Sequence, residues 1–409
     1  MDKKLIIFLS VVFALALIRL FTYYYFKPEI PTGQTVMFVS HLSTQPRIYN
    51  GYQTFTVNLP TGESVFIKEK AEQDFNYADR VNISGNLNYR LLNEKTRILT
   101  IDYPQISLEN QHENMVLAVV NLIRQQIVDT FYAYLPKDLA GLMLGIVIGV
   151  KADFSPQFLT YLKLSGVMHV IAASGMNVTM VAGFFFFTFA LFIKRQMAIV
   201  TTIMIIIFYA FLAGFQPSII RASIMGIILF SSQIWGRQNY SLYALIITLF
   251  IMLFIWPQFL TDVGFQLSFV STLGLLYLPD LFGKLRDFIS EDLITTLSAQ
   301  LATLPILLTT FGTYSVWSVV VNFLVLWTIP PLMVLGGLAA IIALVFAPFA
   351  KYLLLLSLPL LSFFETIVEF FGKLSGAISV DYFPASLSVG YYVLLVAVLI
   401  FAYKRKRVN

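Results

Sequence analysis

Residues 161–183 read YLKLSGVMHVIAASGMNVTMVAG, an apolar run interrupted by His169, Ser174 and Asn177. Several polar residues in a Gly- and Ala-rich membrane segment indicate a helix packed inside protein rather than exposed to lipid. Small residues also recur at three- and four-residue steps, which would let a second backbone approach closely: Ala172, Gly175, Thr179 and Gly183. The stretch therefore predicts either tight helix packing or the wall of a polar path through a membrane.

The whole chain has the composition of a membrane protein. Its 409 residues are 58% hydrophobic and 12% charged, with a mean hydropathy of +0.79, whereas charged residues make up about a quarter of a typical soluble domain. The absence of Cys excludes disulfides and thiolate metal ligands. The three His residues lie far apart in sequence, so we predict no metal site and no cofactor.

Hydrophobic runs predict about ten membrane spans. Residues 5–26 follow Lys3 and Lys4 and precede no cleavage site, so we expect an uncleaved anchor whose N-terminus is cytoplasmic. Ten crossings then return the C-terminus to the cytoplasm and predict a multi-pass plasma-membrane protein. Twelve Lys and Arg residues fall in the predicted cytoplasmic segments, against one in the outer loops after residue 192. The other predicted spans are 166–192, 198–214, 218–235, 240–256, 262–279, 292–311, 316–348, 352–371 and 389–403.

Residues 31–110 differ from the rest because their apolar residues alternate with polar ones. Five alternating runs separated by turn signals predict a small β-barrel of the OB-fold type outside the cytoplasm. The runs are Thr35–Ser40, Gln53–Leu59, Ser64–Ile67, Arg80–Tyr89 and Thr96–Tyr103. The predicted fold class is thus a polytopic α-helical membrane protein with a small extracytoplasmic all-β domain. Its parts are an anchor (1–30), the OB-fold-like domain (31–110), an interfacial amphipathic helix (111–135) and a membrane-embedded region (136–409).

The OB-fold-like domain has residues that suit single-stranded DNA. Such folds stack bases on aromatic side chains above a basic groove. The domain nevertheless holds seven basic and eight acidic residues, so it has no overall field that attracts a polyanion. A purely scaffolding role is the alternative. The candidate DNA contacts are Arg47, Lys68, Arg80, Arg90 and Arg97.

Two features follow the domain. Residues 111–135 place Met115, Val119 and Ile123 on one helical face, apart from Asn121 and Arg124, a pattern typical of a helix lying on a membrane surface. The apolar run 139–150 is too short to cross a hydrocarbon core of about 30 Å. We expect it to be re-entrant or buried.

Polar residues within the later spans are candidates for a lined path. Arg221 and Asp262 both fall near the outer ends of spans, so they are predicted to pair. In the alternative, Asp262 only caps its helix and Arg221 extends toward the membrane surface. The remaining candidates are Gln266, Gln300, which precedes the kinking residue Pro305, and Asn322.

Four separated motifs resemble the ComEC family of competence proteins. The first is His169-Val-Ile-Ala-Ala-Ser174-Gly175-Met-Asn177-Val. The others begin at Tyr209, Asp262 and Ala299; they read YAFLAGFQPSIIRA, DVGFQLSF and AQLATLP, and Asn322 follows the last. Their order and spacing agree with the family over roughly residues 140–330. The resemblance also implies an OB-fold in the N-terminal loop.

The resemblance implies an inner-membrane channel that passes single-stranded DNA into the cytoplasm during transformation. It also implies an extracytoplasmic DNA receptor and a separate cytoplasmic motor as partners, and it leaves a homo-oligomer open. The chain departs from the family at Asn177, where His is usual, and we expect it to lack the metallo-β-lactamase-like domain of many members. The residues assigned to the DNA path are His169, Ser174, Asn177, Arg221, Asp262, Gln266, Gln300 and Asn322.

Two other functions fit parts of the pattern. A lipid or polysaccharide flippase would need the same polar helices. An intramembrane serine hydrolase would use Ser174 as nucleophile, but His169 lies roughly 140° round a helix from it, which is poor geometry for a base. We therefore predict a channel and not an enzyme.

Overall fold

A computed structural model gives the arrangement of the chain. The residues it describes are 3–27, 32–43, 46–49, 51–71, 75, 79–91, 97–110, 115–150, 154–171, 174–234, 241–287, 290–374, 376–380 and 383–408. Within them, a small β region follows one helix, and helices make up most of the remainder.

The β region contains all five predicted strands with nearly the predicted bounds. The predicted strand Arg80–Tyr89 is divided in two at Leu87. Two further strands, Arg47–Tyr49 and Gln105–Asn110, were not predicted. The strands are β1 (Thr35–His41), β2 (Arg47–Tyr49), β3 (Tyr52–Asn58), β4 (Ser64–Lys70), β5 (Arg80–Asn86), β6 (Asn88–Leu91), β7 (Arg97–Asp102) and β8 (Gln105–Asn110). Alternate residues such as Val65, Ile67, Val81 and Ile83 are fully buried, which explains the period-two pattern.

The strands of the β region form two sheets, in the orders β1-β5-β8 and β2-β3-β4-β7-β6. β1 pairs with β5, β5 continues through buried Leu87 into β6, and β6 pairs with β7. β7 runs parallel to β4, β4 pairs with β3, and an isolated bridge between Leu42 and Val57 links β3 back to the end of β1. The two sheets therefore meet at this bridge and at Leu87, and they share the apolar cluster that contains Phe38, Phe55 and Ile101.

Helices account for the predicted membrane spans. They are α1 (Lys3–Tyr25), α2 (Met115–Tyr134), α3 (Lys137–Ile148), α4 (Pro156–Ser165), α5 (Met168–Ile171), α6 (Gly175–Ala190), α7 (Arg195–Leu212), α8 (Pro217–Ile234), α9 (Ser241–Ile255), α10 (Val263–Tyr277), α11 (Glu291–Phe311), α12 (Ser318–Val325), α13 (Ile329–Lys373) and α14 (Ala385–Val408). A short pair, β9 (Thr313–Ser315) with β10 (Ala377–Ser379), joins two of the connections. Five helical stretches in the described residues are long and apolar enough to cross a membrane, so the total of ten remains a prediction.

Two predicted spans differ in detail from the helices. The expected continuous helix over 166–192 is wrong, because α4 ends at left-handed Gly166, α5 covers only Met168–Ile171, and Ser174 has an extended backbone before α6. Within the predicted span 316–348, α12 is followed by a short 3-10 turn, Leu326–Thr328, and α13 then begins with Pro330 and Pro331 in its first turn. These prolines occupy the first turn of α13, where no intrahelical N–H bond is required, and the bend lies at Phe346 (φ −153°, ψ 88°).

The bend in α13 is a consequence of its packing around α3. In a straight helix, Gly336 and Glu365 would lie about 44 Å apart. Gly336 abuts Met143 and Val147 of α3, while Glu365 lies within electrostatic range of Asp138 at the other end of α3. Since α3 is only about 18 Å long, the two halves of α13 must fold back around it.

The short helix α3 is buried, as predicted from its length. Every residue from Leu139 to Ile148 is buried. Its N-terminal end is fixed by Asp138, whose two carboxylate oxygens accept hydrogen bonds from the backbone N–H (2.7 Å) and hydroxyl (2.6 Å) of Ser155, the N-cap residue of α4. This buried helix forms the centre of the largest apolar cluster.

Helix α2 packs on the helical core through a face that holds apolar Ile127 and Phe131 as well as polar side chains. Met115 and Val119 of the predicted apolar face are exposed, and Asn121 and Arg124 are buried against the helical core. The Gln126 amide also donates to the Ala343 carbonyl at 2.8 Å, close to the bend in α13. Polar side chains of α2 therefore supply hydrogen bonds to the core, and the interfacial position of α2 remains a prediction.

Candidate functional site at an interrupted helix

The candidate site is the break between α4 and α6. Helix α4 ends at Gly166, which has a left-handed backbone (φ +78°), the four-residue α5 follows, and Ser174 begins α6. Irregular backbone among membrane helices is tolerated where it is buried in protein or lines an aqueous cavity. The break therefore marks a position where protein or water must satisfy the freed backbone groups.

Three side chains from different segments satisfy the carbonyl end of α3 beside this break. The Asn177 amide donates to the Ile146 carbonyl at 2.8 Å, and the Tyr209 hydroxyl donates to the Val147 carbonyl at 3.0 Å. The Gln216 amide donates to the Gly149 carbonyl at 3.1 Å. A buried helix end without such partners would be costly, so these groups hold α3 in place.

Asn177 and Ser174 form a local pair at the start of α6. The Ser174 hydroxyl donates to Asn177 Oδ1 at 3.0 Å, and Asn177 is only 2% exposed. The hydroxyl thus bonds to an amide and not to an imidazole. His169 lies on α5, and its side chain is exposed. The arrangement favours a structural pair over an activated serine.

Arg221 of α8 reaches the first residue of α6. Its Nε donates to the Ser268 hydroxyl of α10 at 2.6 Å, and one Nη contacts the Met225 sulfur at 3.4 Å. The other Nη lies 2.7 Å from where a Cβ on Gly175 would be. Of the residues described, no carboxylate is within ion-pair distance of Arg221, so the predicted pair with Asp262 is not formed.

Asp262 and Gln266 lie at the start of α10. Asp262 accepts a hydrogen bond from the Phe265 N–H at 2.7 Å, which is the capping role weighed as the alternative. The Gln266 amide donates to the Leu260 carbonyl at 2.9 Å. Both side chains therefore serve local backbone groups, and their place on a DNA path remains a prediction.

A second polar wall faces Gly166. A Cβ at Gly166 would lie 2.6 Å from the Cβ of Ser318 and 3.0 Å from that of Ser315, so only glycine allows this approach. The Tyr314 hydroxyl donates to Gln300 Oε1 at 2.7 Å. One turn beyond Ser318, Asn322 is 2% exposed, and its Oδ1 has no protein partner among the described residues. An unsatisfied buried amide marks a position that water could occupy.

The small-residue stripe is only partly used for packing. Gly175 contacts Arg221, whereas a Cβ placed on Gly183 would meet no atom of a neighbouring element within 4 Å. The Thr179 hydroxyl bonds to its own helix at Gly175. Ala172 lies outside the described residues. Gly175 is therefore the member of the stripe on which the site depends.

Gly175→Ala is expected to impair function more than Gly183→Ala. The new methyl group would displace the Arg221 guanidinium at position 175 but meet open space at position 183. DNA uptake is compared at matched membrane levels of the two variants. Gly183→Ala is the control, because it makes the same substitution in the same helix. Equal uptake by both variants would contradict the assigned role of the Gly175–Arg221 contact.

Tyrosines of α14 satisfy carbonyls near the kink in α11. Pro305 has no N–H, so the Leu301 carbonyl lacks its usual partner. The Tyr391 hydroxyl donates to this carbonyl at 2.8 Å, and the Tyr392 hydroxyl donates to the Ala302 carbonyl at 3.0 Å. The sequence indicated the kink but not these tyrosines, since they lie 90 positions away.

A double-mutant cycle tests this compensation. Tyr391→Phe is expected to cost about 1–3 kcal/mol in unfolding free energy, because it leaves the Leu301 carbonyl unsatisfied. In a Pro305→Ala background, the introduced alanine supplies a backbone N–H to that carbonyl, so the same tyrosine change should cost much less. Unfolding of the purified chain in detergent measures both effects. An identical cost in the two backgrounds would disprove the link.

In the β region, Lys68 lies among aromatic side chains. Lys68 Nζ lies 4.8 Å from the Tyr52 ring centre and 5.8 Å from that of Tyr103, which is 54% exposed. Arg80 forms an ion pair with Glu109 at 3.2 Å, and Arg90 is exposed on β6. Of the other predicted contacts, Arg47 begins β2 and Arg97 begins β7. In the described part of the chain, no group of three or more His, Asp or Glu residues could hold a metal.

Comparison with known proteins decides the family. The family model described as competence protein matches residues 146–405, more than half of the chain, and this span includes the interrupted helix. The chain belongs to the competence protein family. This confirms the ComEC resemblance of the four motifs.

Individual relatives share parts of the competence region. The chain is 31% identical to "ComE operon protein 3" of Bacillus subtilis (strain 168) over 227 residues, 54% of this chain and 29% of the relative. It is 31% identical to an uncharacterized protein of Aquifex aeolicus (strain VF5) over 148 residues, 35% of this chain and 33% of the relative. The matches thus span about a third or less of these relatives. No solved structure matches the chain.

Proposed function

We propose that this competence-family protein is a channel that passes single-stranded DNA across the plasma membrane during DNA uptake. The observation that carries the proposal is Arg221, an intramembrane cation placed against an interrupted helix with no carboxylate partner among the described residues. An ionisable side chain within a membrane region is costly to retain, so it points to a ligand of opposite charge. The phosphodiester of a DNA strand is such a ligand.

The walls of the break suit transient contact with a polyanion. Conduction needs binding that is favourable enough for entry but weak enough for exit. Amides and hydroxyls on the two walls, including Ser174, Ser318 and Asn322, offer hydrogen bonds without fixed charge. Arg221 adds one positive charge, assisted by the N-terminal end of α6. A strand could thus exchange phosphates at Arg221 without being trapped.

The path would open by separation of the two walls. In the present structure, Gly166 closely abuts the start of α12, and Asn177 is bonded to α3. We propose that His169, Ser174, Asn177, Gln300 and Asn322 line the path in an open state, with Gln266 and Asp262 near one mouth. The proposal includes ten spans and cytoplasmic termini, with the β region outside the cytoplasm.

The β region is proposed to be an OB-type domain that receives the strand. Its two sheets around a shared apolar cluster, with one parallel pair, β4 with β7, support this interpretation. The rings of Tyr52 and Tyr103 lie 5.8 Å apart beside Lys68, so they offer base stacking next to a cation. The β region would deliver DNA to the membrane region, while a separate receptor and motor act before and after it.

Tyr103→Ala is expected to weaken binding of oligothymidylate to the purified full chain about tenfold or more, since stacking is worth about 1–3 kcal/mol per base. Tyr89→Ala is the matched control, because Tyr89 is similarly exposed (50%) but lies on β6, outside the Tyr52–Lys68–Tyr103 cluster. Fluorescence anisotropy measures both affinities. If Tyr89→Ala weakens binding as much as Tyr103→Ala, the cluster is not the binding platform.

DNase-resistant uptake of labelled DNA tests the channel. A deletion strain should bind DNA at its surface but internalise none, and the wild-type gene should restore uptake. The envelope of the deletion strain is also examined, because loss of a flippase would cause an envelope defect. Normal internalisation in the deletion strain would overturn the proposal.

A further inference from the structure

A crevice lies where the β region meets the end of α1. Its volume is about 480 Å³, within the range of small-molecule sites. Its lining combines two cations with aromatic and small side chains: Arg19, Thr22, Tyr23, Phe26, Lys27, Pro60 and Thr61. None of these residues belongs to the proposed DNA path.

The turn between β3 and β4 forms one wall of the crevice. The Tyr23 hydroxyl donates to the Thr61 carbonyl at 2.7 Å, and Lys27 forms an ion pair with Glu63. Gly62 needs its left-handed backbone (φ +89°), and a Cβ there would crowd Tyr23 and Gln258 at 3.3 Å. The turn is therefore seated closely on α1, and the crevice is a built feature.

The crevice carries one uncompensated positive charge. Burial lowers the pKa of Lys27, but its hydrogen bond and attraction to Glu63 outweigh this, so the pKa lies above its ordinary value and the ion pair is neutral overall. Arg19 Nε donates to the Phe254 carbonyl at 3.4 Å. Within the described part of the chain, no carboxylate lies at ion-pair distance from Arg19.

Below the crevice, α1 presents an exposed apolar face. Leu15 lies one turn before Arg19 and Ile18 lies one turn before Thr22, and their side chains are 47% and 59% exposed. A ligand that matches both the charged crevice and the apolar surface of α1 needs one negative charge beside Arg19 and a hydrocarbon chain along α1. Basic pockets beside membrane helices bind lipid head groups in this way.

We propose that this crevice binds the phosphodiester head group of an anionic phospholipid from the leaflet on the side of the β region. Arg19 contacts the phosphate, Thr22 offers a hydroxyl to the head group, and the acyl chains follow the exposed face of α1. The bound lipid fixes the β3–β4 turn on α1 and so sets the position of the β region above the membrane region. A DNA phosphate is less well suited, because the apolar face of α1 offers a nucleotide no matching group.

Thermal unfolding of the purified full chain in neutral detergent tests the site. Phosphatidylglycerol is expected to raise the melting temperature more than phosphatidylcholine, because a ligand that binds only the folded state stabilises it. Arg19→Gln should abolish this difference, and Arg19→Lys should retain most of it. Arg195→Gln is the matched control, since Arg195 is an exposed helical arginine with an amide partner, Gln233, at 3.3 Å.

Several outcomes would overturn the lipid site. One is an equal rise in the melting temperature of the wild type with phosphatidylglycerol and with phosphatidylcholine. Another is an undiminished rise with phosphatidylglycerol in Arg19→Gln. Stabilisation by oligothymidylate that disappears in Arg19→Gln would assign the crevice to DNA instead. Native mass spectrometry of the wild type should show one retained anionic lipid per chain, independently of any variant. These measurements involve no uptake, so their failure would leave the channel proposal standing.

Discussion

Arg221→Gln is expected to lower DNase-resistant DNA uptake about 10- to 100-fold, because a hydrogen bond to a charged group is worth about 1.5–3 kcal/mol and each 1.4 kcal/mol is a factor of ten. The guanidinium lies between the Ser268 hydroxyl and Gly175, and the described residues place no carboxylate beside it. Glutamine keeps a hydrogen-bond donor for Ser268 but removes the charge that would hold a phosphate.

Two further variants separate charge from folding. Arg221→Lys keeps the charge but not the forked donor geometry, so it should retain intermediate uptake. Arg195→Gln removes an exposed arginine elsewhere and should leave uptake unchanged. Membrane levels and the melting temperature are measured for all three. Wild-type uptake by Arg221→Gln at normal levels would show that DNA does not pass this residue.

Asn177→Leu is expected to cause the largest loss of stability among single changes at the site. It would leave both the Ile146 carbonyl and the Ser174 hydroxyl without partners inside the protein. Each unsatisfied buried group costs about 1–3 kcal/mol, so the melting temperature should fall by many degrees. Uptake should fall with it, because α3 would lose part of its support.

Tyr209→Phe is a smaller change than Asn177→Leu, since it removes only a hydroxyl and leaves only the Val147 carbonyl unsatisfied. Tyr209→Phe should lower the free energy of unfolding by about 1–3 kcal/mol. Thr179→Val is the control, because that exposed hydroxyl bonds within its own helix. Lost uptake by Asn177→Leu with an unchanged melting temperature would instead indicate that Asn177 contacts the strand and does not support α3.

Apart from His169, the predicted path residues divide into three groups in the structure. Ser174, Asn177 and Arg221 meet at the start of α6, while Gln300 and Asn322 lie with the wall that faces Gly166. Asp262 and Gln266 serve the backbone at the start of α10. Periodicity could not separate these groups, because a polar residue within an apolar run looks the same whether it caps a backbone group or faces a path.

The residues that were missed are those whose partners are distant in sequence. Tyr209 bonds 62 positions away, Gln216 bonds 67 positions away and Tyr391 bonds 90 positions away. A local signal existed only at Pro305, whose missing N–H shows that a carbonyl must find another donor. The identity of that donor depends on which helices become neighbours.

The sequence by itself determined that this is a membrane protein with an alternating, strand-rich insert, and its motifs identified the competence family. The membrane class and the strand-rich insert follow from local composition and from periods of two and 3.6 residues, whereas the family follows from the resemblance of the motifs. Only the tertiary structure decided that residues 161–183 are not one helix and that Arg221 meets Gly175. The physical reason is that freed backbone groups and buried charges must be satisfied by whichever side chains arrive from elsewhere, and packing alone selects them.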